Sequence, residues 1–147
     1  TCALPIYFKD ELQKLQSWNL VNEYGHVSLS EVNKIFNNSF AGLVTLQPII
    51  NYVDSLPIKM FEYMAAQLPV IASNFPLWKN IIEENNIGIC VDPNSTNEIE
   101  DAIMILLNNK NLAKEMGERG RKLVEEKYNW YNEELKLYKV YNNLMRT

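Results

Sequence analysis

Apolar positions along the chain fall into short runs set between longer amphipathic stretches. Ala3 to Phe8, Leu20-Val21 with Tyr24, Phe40 to Leu46, Val70 to Ser73 and Ile87 to Val91 are short and rich in β-branched or aromatic residues. They predict strands, the first being only a strand end. Between them the period lengthens. Leu12 and Leu15 within Lys9 to Ser17 have helical spacing. Ser28-Leu29-Ser30-Glu31 is a capping box, opening a helix with Val32, Ile35 and Phe36 on one face. Residues 47–56 form a loop, and Pro57 is placed as the first helical residue of the next helix, with Asp54 or Ser55 as its cap. Ile58, Phe61, Ala65 and Leu68 would line its core face, and Pro69 closes it. A helix over Leu77 to Glu84 follows, then a turn at Asp92-Pro93-Asn94-Ser95. Three more amphipathic helices end the chain, marked by Ile99 to Leu107, Leu112 to Val124 and Trp130 to Met145.

Strands that alternate with helices imply an α/β fold, a parallel sheet with helices on both faces. Ligands of such sheets bind beyond the carboxyl ends of the strands. The loop from Gln47 to Leu56 leaves one such end and feeds a helix N-terminus, so it is the expected ligand site.

Composition narrows the function. The 147 residues are 47% apolar, enough for one core without disulfide or metal staples. Lys and Arg number 14 against 18 Asp and Glu, and the net charge of −4 argues against nucleic acid as partner. No apolar run approaches the roughly 20 residues of a membrane span. The N-terminus lacks a signal-peptide layout. Cys2 and Cys90 have no metal spacing and suggest reduced thiols in a cytoplasmic protein. The chain opens at Thr1, inside an expected strand, which suggests a piece of a longer protein.

Charge then singles out one segment. Only six charged residues occur from His26 to Ile82, and three of them are Asp54, Lys59 and Glu62. The first turn of a helix leaves amides without intrahelical partners and carries roughly half a positive charge, which together suit a phosphate. Lys59 would add to that field, and Glu62, three positions on, shares its face. Phosphates would meet the amides and Lys59, and sugar hydroxyls Glu62. The plainer alternative is an ordinary surface ion pair between Lys59 and Glu62, with Asp54 only a cap.

The run Ser55-Leu56-Pro57-Ile58-Lys59-Met60-Phe61-Glu62-Tyr63-Met64-Ala65-Ala66, then Leu68-Pro69-Val70-Ile71-Ala72-Ser73, closely resembles family 4 glycosyltransferases. So do Gly88 to Pro93, Met116 to Arg121 and Tyr128-Asn129-Trp130. The resemblance covers nearly everything from Gly25 onward. These are retaining enzymes of the GT-B fold with nucleotide-sugar donors. It implies a Rossmann-like C-terminal, donor-binding domain over residues 1–127, lacking its first part. Residues 128–147 would then be a closing helix that returns to an absent N-terminal, acceptor-binding domain and leaves aromatic residues exposed here. By resemblance, Asp54 contacts the transferred sugar and Lys59 the diphosphate. Glu62 binds the ribose, Leu56, Pro57 and Ile58 line the donor site, and Gly25, His26 and Val27 lie near the nucleobase. Asp54 departs from the usual Glu and is one methylene shorter, and Gln67 stands where Gly commonly ends the helix.

The implied function is transfer of a sugar, with retention, from a UDP- or GDP-sugar to a glycan or lipid-linked acceptor, as in polysaccharide biosynthesis. No cofactor and no metal are expected. The setting would be cytoplasmic, with peripheral association of the longer enzyme at the inner face of the membrane. This chain alone would be inactive. The alternatives are a degenerate, non-catalytic transferase module and a GT-B nucleotide-sugar epimerase. Other chemistry finds little support. His26 has no companion ligands. Ser73 lacks a nucleophile elbow. Gly117 and Gly120 sit in a polar helix rather than after a strand, where a dinucleotide loop would be. Trp130, Tyr131, Tyr138 and Tyr141 suit a core or interface better than base stacking.

Overall fold

The computed structural model describes residues 6–145, in two units that part between Ile35 and Phe36. The first holds helix α1 (Ile6–Leu12), a 3-10 turn (Gln16–Leu20) and the start of α2 (Leu29–Asn37). Of the strand end expected at Ala3 to Phe8, Ala3 to Pro5 lie outside the described residues, and Ile6 to Phe8 are helical instead. Leu15 lies beyond α1. The strand expected at Leu20 to Tyr24 does not form. Val21 is extended, with φ −95° and ψ 125°, but no strand is assigned there. The capping box is present: Glu31 Oε2 accepts from the Ser28 amide at 2.8 Å, and Ser28 Oγ accepts from the Glu31 amide at 3.3 Å.

The second unit is built on three parallel strands in the order β1-β2-β3: β1 (Gly42–Val44), β2 (Val70–Ser73) and β3 (Gly88–Val91). Gly42 pairs with Val70 and Val70 with Gly88. Every residue of β2 is buried, as expected of a strand covered on both faces. Successive side chains point to opposite faces. Val70 and Ala72 share a cluster with Met60 and Met64 of α4 (Ile58–Ala65) and Trp78 and Ile82 of α5 (Pro76–Ile82). Ile71 joins Ala102 and Leu106 of α6 (Thr96–Asn108) and Met116 of α7 (Lys110–Glu126) in another. Helices therefore cover both faces. At the expected turn after β3, the Asp92 amide donates to Glu98 Oε2 at 2.8 Å, and Ser95 caps α6.

The expected core stripe of α4 is rotated. Met60, Tyr63 and Met64 are buried, whereas Ile58 is 75% exposed and Phe61 and Ala65 are half-buried. Leu68 is buried, but beyond the helix end. Gln67 takes φ 59°, the left-handed conformation in which helices commonly end on glycine. Gly117 lets α7 close on that bend, because a Cβ there would run into the Gln67 carbonyl oxygen. Gly120 faces Met64, and Arg121 donates to the Ala65 carbonyl at 2.7 Å. The two glycines serve helix packing. The last helix, α8 (Trp130–Leu144), has no buried residue, and Trp130, Tyr131, Tyr138 and Tyr141 are exposed.

Candidate functional site

The segment joining β1 to α4, together with α4 itself, carries six of the nine residues singled out by sequence. The segment is not wholly a loop, since Ile50–Val53 wind into a short helix, α3. Asp54 ends that helix with φ −102° and ψ 7°, and is exposed. Ser55 folds back, its hydroxyl donating to the Tyr52 carbonyl at 3.1 Å. Neither Asp54 nor Ser55 caps α4, which has no side-chain cap. Pro57 stands at the N-cap rather than inside the helix. Its ring holds φ near −71° but leaves ψ to the surroundings, and ψ is extended at 129°. Ile58 is therefore the first helical residue and Lys59 the second, one position nearer the positive end than expected. The Met60 amide turns back to the Pro57 carbonyl at 3.1 Å.

Around this helix end Leu56, Ile58 and Glu62 are exposed, while Pro57 and Lys59 are half-buried. No acidic side chain occupies the first turn to offset the dipole. Gly25, His26 and Val27 belong to the other unit, between the 3-10 turn and α2. Gly25 has φ 60°, His26 is exposed and Val27 half-buried.

Two residues beside the segment escaped sequence reasoning. Ser73, at the carboxyl end of β2, donates through Oγ to the Leu46 carbonyl at 2.7 Å. Trp78 of α5 donates through Nε1 to the Ser55 carbonyl at 2.6 Å. The available signal was chemical: a hydroxyl ending an apolar strand and an indole N–H on a core helix both require acceptors when buried.

The remaining features lie elsewhere. A pocket of about 250 Å³ opens at the opposite, amino ends of β1 and β2, between Phe40, Pro69, Leu107 and Lys110. Burial pushes the Cys90 thiol up to about 12, with Glu83 adding to the effect and Lys79 opposing it, so Cys90 is no nucleophile at neutral pH. Among the described residues no group of three or more His, Cys, Asp or Glu could hold a metal, and no helix is long and apolar enough to cross a membrane.

Known proteins resemble both the chain and its fold. Sucrose-phosphate synthase from Thermosynechococcus elongatus matches with a TM-score of 0.80 at 23% identity, over 95% of this chain and 34% of that one. That likeness of fold bears out the α/β, Rossmann-like architecture expected from sequence. An uncharacterized glycosyltransferase of Methanocaldococcus jannaschii is 25% identical over 134 residues, covering 90% of this chain and 38% of the relative. A GDP-mannose-dependent alpha-(1-6)-phosphatidylinositol monomannoside mannosyltransferase of Mycobacterium tuberculosis is 35% identical over 78 residues. Those residues are 53% of this chain and 20% of that protein, so the chain spans well under half the length of these relatives. The family model described as glycosyl transferases group 1 matches residues 6–123. The chain belongs to the group 1 glycosyl transferases.

Proposed function

We propose that this chain binds the nucleotide-sugar donor of a glycosyltransferase, and that the pyrophosphate sits at the N-terminus of α4. The observation that carries this reading is the open, acid-free first turn of α4 beyond the carboxyl end of β1, in a member of a transferase family. Amides of that turn and Lys59 offset the charge that grows on the departing diphosphate, an electrostatic contribution that needs no metal. Asp54 orients the transferred sugar and Glu62 grips the ribose, which holds the reacting carbon in place for the acceptor. Leu56, Pro57 and Ile58 form the wall of the donor site. Transfer proceeds with retention, as in the family 4 enzymes that the sequence resembles, to a glycan or lipid-linked acceptor bound outside this chain. The enzyme would work in the cytoplasm, at the inner face of the membrane.

The donor is a UDP- or GDP-sugar. The name of the mycobacterial relative makes GDP the first probe. Calorimetric titration of the intact protein with GDP and UDP tests the reading. One of them is expected to bind, and Glu62→Ala to weaken that binding about tenfold, the loss of one hydrogen bond to a charged group. Absence of heat from both nucleotides would reject it.

A further inference from the structure

The segment between β1 and α4 has little burial of its own. Residues 47–52 and 54 are exposed, and of α3 only Val53 packs on the core. It is held instead at its two ends. Ser73 Oγ grips the Leu46 carbonyl at 2.7 Å, and Trp78 Nε1 grips the Ser55 carbonyl at 2.6 Å. Both side chains are 0% exposed. Trp78 is itself wedged by Phe75, with ring centroids 4.7 Å apart. The acceptor it reaches is the carbonyl immediately after Asp54 and three residues before the first residue of α4.

We infer that Ser73 and Trp78 are positioning residues, which hold Asp54 and the first turn of α4 in place for a pyrophosphate-bearing ligand. The inference rests on the function proposed above. A buried donor whose partner is a carbonyl in an otherwise exposed segment fixes backbone position, and a site that binds through backbone amides depends on that position. Neither side chain touches the ligand. Each acts through the carbonyl that it holds.

The test compares Trp78→Phe and Ser73→Ala in the intact protein with Ile82→Ala, a core cut on the same helix as Trp78 that leaves both bonds intact. GDP and UDP affinity, melting temperature, and amide exchange over residues 47–57 are measured for each. Trp78→Phe and Ser73→Ala are each expected to weaken nucleotide binding roughly three- to tenfold, the fold-change of one net hydrogen bond. Exchange over 47–57 should rise with it. Ile82→Ala should keep the wild-type affinity despite an equal or larger drop in melting temperature. Wild-type affinity in both positioning variants, or an equal loss in Ile82→Ala, would overturn the inference and leave the proposed function standing. Wild-type protein that binds neither nucleotide would remove the proposed function, and the inference with it. Ser73→Ala removes a single oxygen and carries the same comparison should Trp78→Phe not fold.

Discussion

At the scale of single residues, Glu31 and Cys90 are displaced from their ordinary titration by different causes. The hydroxyl and amide of Ser28 hold the Glu31 carboxyl below its usual 4.5. Because the folded value is the lower one, the contribution is present above the unfolded value and disappears as pH falls through the folded one. An NMR titration is expected to place the Glu31 midpoint under 4.5, and Ser28→Ala to move it back up. A midpoint at 4.5 in the unmodified protein would show the capping box is not formed in solution. Cys90 runs the other way. Its folded value, about 12, exceeds the ordinary 9.0, because burial penalises the thiolate. Above 9.0 the unfolded thiol ionises and the folded one does not, so stability declines as pH climbs from there toward 12. In a Cys2→Ser background, iodoacetamide at pH 8 should label the folded protein far more slowly than the denatured one. Equal rates would contradict the burial.

At the scale of elements, the contact of α4 with α7 is the most exacting. Gly117→Ala drives a methyl into a backbone carbonyl that cannot rotate aside, and is expected to cost about 1–3 kcal/mol. Gln67→Gly relieves a left-handed conformation and should add up to about 1 kcal/mol. Denaturant midpoints measure both. The same helix shows where periodicity loses its grip. Every position of α4 except Lys59 and Glu62 is apolar or aromatic, so two stripes fit equally well. Which one turns inward is decided by the sheet and by α7, neither of which is visible in a local window. The charged pair was the better guide: Glu62 faces solvent because burying it would leave a carboxylate without partners. Val21 teaches a related lesson. Its sequence context favours extended backbone, and the backbone is extended, but a strand also requires a neighbour to pair with. Strands β2 and β3 were legible because apolar runs between turn residues leave few other options. The bonds from Ser73 and Trp78 were not, since side-chain-to-carbonyl contacts join residues 27 and 23 positions apart.

At the scale of the whole molecule, the alternation of strand and helix led to the parallel sheet, and its carboxyl end to the candidate site. The pocket of about 250 Å³ at the other end of the strands does not compete with it, because open sheets of this kind take their ligands at the carboxyl ends. A chain covering 20–38% of two glycosyltransferase relatives holds one part of what those proteins carry. On the function proposed above, with the acceptor bound outside this chain, the 147-residue chain alone is expected to bind nucleoside diphosphate yet transfer no sugar. Measured turnover by the isolated chain, from GDP- or UDP-linked sugars to water or to an added glycan, would overturn the division of labour proposed here.

Helix α4 is secured from within by Met60, Tyr63 and Met64 and from behind by α7. Its outward residues, Ile58 and Glu62, contribute almost nothing to that grip. On the function proposed above, exchanges at those two positions would therefore alter what the donor meets while the supports of the helix stay in place.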